Sequence, residues 1–157
     1  MTGTAAKRFI ADAMLGRLAR WLRTMGYDCE YDSRIEDDAL IARANKDDRV
    51  ILTRDTRLAA RRVARGRTLL IRANGLDEQV REVKEAFVID AAGLLTRCLR
   101  CNTPLEEMPK EAAMRSVPAF VYDTQESFSR CHSCGRIYWA GTHIDTMKRE
   151  VDRLLNG

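Results

Sequence analysis

Histidine is scarce in this chain: His132 and His143 are the only two, and both lie after residue 130. A serine or cysteine nucleophile in the first half would therefore lack an imidazole base nearby in the sequence. No H-E-x-x-H occurs, no Walker A loop, and no G-x-G-x-x-G after a strand-like run, which removes the common zinc-protease and nucleotide-cradle readings. No apolar run approaches the roughly 20 residues that a membrane-spanning helix needs. Three prolines and nine glycines, beside 45% hydrophobic and 32% charged residues, argue against disorder. No period recurs, so no repeat architecture is expected.

Lysine is also scarce, with five against 22 arginines. The net charge of +4 and pI near 8.9 are mildly basic. They permit an acidic partner such as nucleic acid without demanding one, and arginine's planar fork suits phosphate. Asp12, Arg17 and Arg20 interrupt any apolar signal region, and the strand-like Phe9-Ile10-Ala11 argues against a transit peptide. The expectation is a cytoplasmic protein with no membrane segment, in a reducing compartment. A length of 157 residues allows one ordinary domain and a small appendage.

Residues 8 to 90 alternate short apolar runs with helical patterns. Phe9 to Ala11 reads as a strand, followed by a helix with Leu15, Leu18, Ala19, Leu22 and Met25 at helical spacing, stopped by Gly26. Tyr27 to Tyr31, Val50 to Thr53 and Thr68 to Ile71 read as further strands. Asp37 or Asp38 can cap a helix through Leu40, Ile41 and Ala44, and Asp55 one through Leu58, Ala59 and Val63 that ends at Gly66. A fourth helix runs from Asp77 to Phe87. Strands separated by single helices require crossovers, hence a parallel sheet with helices on its faces: an α/β fold. From about residue 96 the texture changes. Pro104, Pro109 and Pro118 break the chain, Phe120-Val121-Tyr122 and Arg136 to Trp139 look like strands, and residues 144 to 155 return to a helix. The expected division is 1–95 and 96–157.

Cys98, Cys101, Cys131 and Cys134 form two C-x-x-C pairs. Two such turns complete a tetrahedron of thiolates around Zn²⁺, and four thiolates leave no open position, so this metal is structural. A small segment with few large apolar groups needs such a staple. Cys29 stands alone and reads as a buried small hydrophobe. His132 and His143 read as structural histidines, with ligand or substrate contact as the alternative.

Asp12 follows the first strand, Asp37 and Asp38 the second, and Asp55 the third. In a parallel sheet, strand ends of one sense share one edge, where ligands bind. Carboxylates meeting there suit Mg²⁺ or Mn²⁺, which can activate water against a phosphodiester. Taken singly, each is better explained as a helix cap, and only together on one rim do they point as well to a metal. Arginines crowd the same region: Arg17 and Arg20 in the first helix, then Arg54, Arg57, Arg61 and Arg65. Arg57, Arg61 and Arg65 would share one face of a continuous helix, either a solvated face or a stripe that tracks phosphates.

Phe9 to Arg23, Gly26-Tyr27-Asp28, Asp37 to Leu40 and Leu52-Thr53-Arg54-Asp55 together resemble the Mut-seven C-terminal RNase family, a branch of the PIN-like nucleases. Arg97 to Asn102, Cys131 to Trp139 and the closing Tyr138 to His143 are similar to its tail. The resemblance implies a PIN-like α/β domain followed by a zinc ribbon, with metal-dependent cleavage of RNA. It maps the family's acids onto Asp12, Asp37 and Asp55, with Asp38 as a neighbour able to replace Asp37. Asp77 is the sole candidate for a later fourth acid. The resulting expectation is a Mg²⁺- or Mn²⁺-dependent ribonuclease whose phosphate contacts come from Arg17, Arg20, Arg54, Arg57 and Arg61. A non-catalytic RNA-binding module is the rival reading, and activity only within a larger complex is a third. Nothing in the sequence sets the oligomeric state.

Overall fold

Buried on both faces, the three residues of the first strand sit at the centre of a sheet. The computed structural model describes residues 7–157, apart from the side chains of Thr142 and His143. Strands β1 (Phe9–Ala11), β2 (Cys29–Tyr31), β3 (Val50–Thr53) and β4 (Thr68–Leu70) are all parallel, in the order β2-β1-β3-β4. Between them run helices α1 (Gly16–Thr24), α2 (Asp37–Asp47) and α3 (Thr56–Ala60), and α4 (Leu76–Ala86) follows. Successive strand residues face opposite sides. Phe9, Ala11 and Leu52 therefore pack with Leu18 and Leu22 of α1 and Val80 and Val83 of α4. Ile10 and Ile51 pack with Leu40, Ile41, Ala44, Leu58 and Ala64 from the α2–α3 side. Two cores on two faces explain why the strands are continuously apolar rather than alternating.

The last helix, α7 (Thr142–Asn156), returns to the first of these cores, where Val151, Leu154 and Leu155 are buried. Arg153 of α7 pairs with Asp77 of α4 at 2.5 Å. Between α4 and α7 lies an antiparallel meander, β5 (Glu106–Met108), β6 (Phe128–Arg130) and β7 (Ile137–Trp139). Its own core contains little beyond Ala113, Val117 and Phe128, with Trp139 leaning on Phe128 at 6.5 Å between ring centroids. Two short helices, α5 (Lys110–Ala113) and α6 (Ala119–Thr124), connect β5 to β6.

The structure corrects several expectations. Phe120, Val121 and Tyr122 lie in α6 rather than a strand. Pro118 stands at its N-cap, where a fixed φ starts a helix readily, and Phe120 is 75% exposed, so no sheet face claims the segment. The third helix stops at Ala60, because Arg61 adopts extended backbone and a separate 3-10 turn follows at Arg62–Ala64. Arg57, Arg61 and Arg65 therefore do not share a continuous helix face. The Arg61 carbonyl instead accepts the Ala64 amide at 3.0 Å, which closes the separate turn. The break also sinks Ala64 against Ala44 and Leu58. The second helix is capped by the backbone of Glu36, with Asp37 and Asp38 in its first turn.

Gly26 closes α1 at φ +94, and a Cβ there would meet the Gly93 carbonyl oxygen at 2.2 Å. Only glycine satisfies both the left-handed backbone and that approach.

Candidate active site and thiolate centre

Three parallel strands deliver the acids to one edge. Asp12 extends β1 by one ladder bond, its amide donating to the Leu52 carbonyl at 2.9 Å, and its own carbonyl then starts a 3-10 turn by accepting from Leu15. Its carboxylate caps nothing. Instead Asp12 Oδ2 accepts from the hydroxyl of Thr53 at 2.7 Å. That same hydroxyl accepts the Asp55 amide at 3.0 Å. Thr53 is 0% exposed. A buried hydroxyl thus holds the ends of β1 and β3 in one arrangement. Asp55 Oδ1 accepts from the amides of Arg57 at 2.8 Å and Leu58 at 3.3 Å, so this residue is a true helix cap.

Asp37 forms no cap bond either. Desolvation and then the charges of Asp55 and Asp12 hold its carboxyl above the ordinary range. Asp37 thus stands near enough to Asp55 and Asp12 to feel their charge. Asp38 turns away to pair with Arg61 at 2.6 Å. Asp77 is occupied by Arg153, and the Arg153 hydrogen bond, assisted by the charges of Arg81 and Arg17, lowers its carboxyl. Among the described residues, only the cysteine quartet gathers three or more candidate ligand atoms within 4.8 Å of one another.

Arg17, Arg20 and Arg57 are exposed, and Arg54 and Arg61 are half-buried. Arg54 donates to Asn74 Oδ1, while its Nε is buried without a hydrogen-bond partner. Sequence reasoning assigned no role to Thr53 or Asn74. A threonine closing an apolar strand two residues before an acid was the available signal for the first. Asn74 lies in the loop after β4 and offered none.

Cys98, Cys101, Cys131 and Cys134 carry sulfurs all within 4.8 Å of one another. Cys98 and Cys134 sulfurs are 3.8 Å apart, and tetrahedral Zn–S bonds of about 2.3 Å imply roughly that separation. The two turns are built alike. Asn102 at φ 63 and Gly135 at φ 75 follow the second cysteine of each, and their amides return to the Cys98 and Cys131 carbonyls at 2.9 and 2.8 Å. Burial opposes charge on Cys98, but hydrogen bonds from the Tyr138 hydroxyl, the Cys101 and Arg100 amides and Cys131 outweigh it and bring the thiol down to about 6. Desolvation and the neighbouring thiols push Cys101 up to about 12. Such a cluster fits a soft divalent ion such as zinc, which displaces thiol protons. Tyr138, read from sequence only as part of a strand, also accepts the Leu99 amide at 3.2 Å and so fixes the first turn. Cys29 is a buried hydrophobe, its thiol pushed up to about 12 by burial.

The first thiolate turn is bolted to the parallel sheet. Arg23 of α1 donates to the Cys29 carbonyl at 2.8 Å and to the Leu99 and Arg100 carbonyls at 3.1 and 3.3 Å. Asn102 accepts the Cys29 amide at 3.0 Å and donates to Asp28 at 2.6 Å. Asp28 in turn pairs with buried Arg49 at 2.6 Å.

The fold is thus a mixed α/β one: a four-stranded parallel sheet with acids at one edge, followed by a three-stranded meander beside a cysteine cluster compatible with a zinc ribbon. The chain belongs to the family of the Mut7-C RNAse domain, whose model matches residues 7–151. Membership points to a ribonuclease-like role, with RNA as the substrate class. No curated protein and no solved structure matches the chain.

Proposed function

We propose that this chain is a Mg²⁺- or Mn²⁺-dependent ribonuclease of PIN-like design, acting on single-stranded RNA. The observation that carries the proposal is the Thr53 hydroxyl, which holds Asp12 and the Asp55 amide together at one sheet edge, while desolvation and then the charges of Asp55 and Asp12 raise the Asp37 carboxyl. Like charges held together on one rim are unfavourable without a cation, and their oxygen donors are those that hard divalent ions take. Asp12, Asp37 and Asp55 would hold the metal, with Asp38 able to replace Asp37 on leaving Arg61. When bound, the ion supplies Lewis acidity toward the phosphodiester and an acidified water. Thr53 orients Asp12 toward this task and keeps Asp55 in register with it. Arg54, next to Asp55 in the chain and bonded to Asn74, would present its guanidinium to a phosphate oxygen. Arg17, Arg20, Arg57 and Arg61 would line the approach of the strand. Zinc on the cysteine quartet would hold the ribbon against α1.

One observation favours a second reading. Asp55 already serves two backbone amides, as a mere cap would in a non-catalytic RNA-binding module. Labelled single-stranded RNA incubated with Mg²⁺ or Mn²⁺ separates the two. The nuclease reading expects cleavage that falls by about two orders of magnitude or more in Asp12→Asn and Asp55→Asn. Binding without cleavage in either metal supports the module. Cleavage that appears only after cell extract is added supports action within a larger complex.

A further inference from the structure

The amino edge of the parallel sheet, opposite the acidic rim, carries a cleft of about 430 Å³. Its walls come from the segments leading into β1, β3 and β4. They bring Lys7, Arg8, Arg49 and Arg67 together against a single lining acid, Asp48. That acid is itself paired with Arg67 at 3.2 Å. Arg8 donates to a neutral acceptor, the Asp47 carbonyl, and the Lys7 ammonium stands 5.7 Å over the Phe87 ring. Neither charge is therefore spent on a carboxylate among the described residues. Arg49 has a side chain only 7% exposed, and its terminal nitrogens serve Asp28 and Glu30. Among the described residues its Nε makes no hydrogen bond but faces the Asp47 carboxylate at 3.9 Å, so the free cations of the cleft are Lys7 and Arg8.

Such a cleft is rich in donors and poor in acceptors, with Phe87 and Val50 supplying apolar surface beside the cations. Guanidinium and ammonium groups recognise phosphate oxygens, and an aromatic ring with aliphatic carbon suits the flat face of a base. A volume in the low part of the usual ligand range, about 300–1,000 Å³, holds one small molecule rather than a length of strand.

We propose that this cleft binds one nucleotide through its terminal phosphate and base, whether as a free nucleotide or as the end of an RNA. The intervening strands of three or four residues span about 10–13 Å, so the site is distinct from the acidic rim and needs no metal. Only its RNA-end form rests on the ribonuclease reading.

Calorimetric titration of the full chain tests the proposal, using AMP and a hexaribonucleotide bearing either a 5′-phosphate or a 5′-hydroxyl. The double variant Lys7→Gln/Arg8→Gln changes exposed side chains only, and thermal melting checks that it folds. AMP should bind saturably, more weakly as salt is raised, and at least about tenfold more weakly in the double variant. Asp12→Asn should bind AMP as wild type does, even if wild type proves unable to cleave RNA. A 5′-phosphorylated hexamer that outcompetes AMP assigns the RNA end, whereas equal binding of the two hexamers with AMP still bound assigns the free nucleotide. Absent AMP binding, undiminished binding in the double variant, or equal loss in Asp12→Asn overturns the site.

Discussion

The hydroxyl of Thr53 donates to Asp12 Oδ2 at 2.7 Å while accepting the amide of Asp55 at 3.0 Å. One buried group thus ties two acids that stand 43 positions apart in the chain.

Thr53→Val keeps the shape and removes the hydroxyl. It should destabilise the protein by about 1–3 kcal/mol, since the Asp55 amide loses its acceptor in a buried place. On the ribonuclease reading it should also lower kcat more than it changes KM, and Thr53→Ser should restore both. Chemical denaturation and RNA cleavage measured on the three proteins check this. A valine variant with unaltered stability and turnover would remove Thr53 from the site.

Asp37 has its carboxyl raised by desolvation and by Asp55 and Asp12, above an ordinary 3.8. A raised acid contributes stability below its unfolded value, and that contribution is lost as pH rises through the folded value. At neutral pH the ionised carboxylate therefore opposes folding. Asp37→Asn should stabilise the metal-free protein slightly, by less than about 1 kcal/mol because the group is exposed. The gain should vanish near pH 3. Added Mn²⁺ should raise the melting temperature of wild type more than that of the variant. Equal shifts in both would dissociate Asp37 from the metal.

Asp28 behaves oppositely. Burial works against its charge, but hydrogen bonds from Arg49 and Asn102 lower it below 3.8. Its contribution is present above 3.8 and lost as pH falls through the lower folded value. Asp28→Asn leaves Arg49 buried with Glu30 as its remaining close partner at 3.1 Å. A loss of about 2–4 kcal/mol is expected, and the variant should lose less stability than wild type between pH 5 and pH 2. Parallel acid titrations by circular dichroism decide it.

On the zinc reading of the cysteine quartet, removing the metal should disturb more than the ribbon. Arg23 and Asn102 connect the Cys98–Cys101 turn to α1 and β2, so loss of that turn strips partners from the edge of the parallel sheet. A strong chelator should release about one equivalent of zinc. Hydrogen exchange should then speed up at residues 97–103 and also at the amides of Cys29 and Leu95, which are held by Asn102 and Thr24. Faster exchange confined to residues 97–139 would show that the two parts are uncoupled.

The parallel sheet was legible because each strand is a short apolar run between helical patterns, and local burial is what such runs record. Asp55 was legible as a cap because capping is decided within three residues. Asp12 and Asp37 were not separable from caps, since a cap and a free carboxylate at a strand end have the same local sequence. The break at Arg61 was hidden for a related reason. Arginine suits a helix, and the break is tied to the burial of Ala64 with Ala44 and Leu58, a cluster of residues far apart in sequence. Phe120 misled because a run of large apolar residues reads as a strand, yet Pro118 and the lack of a receiving sheet made it helical.

The order of strands and helices, the pairing of the cysteines into two turns and the excess of arginine were set by the chain itself, through spacing and local propensity. Which acids feel one another, that Asp38 is drawn off by Arg61 and Asp77 by Arg153, and how the thiolate turn grips α1 were decided only by folding. Those relationships join residues far apart in sequence, and electrostatic and hydrogen-bond energies depend on distances in space that no local pattern encodes.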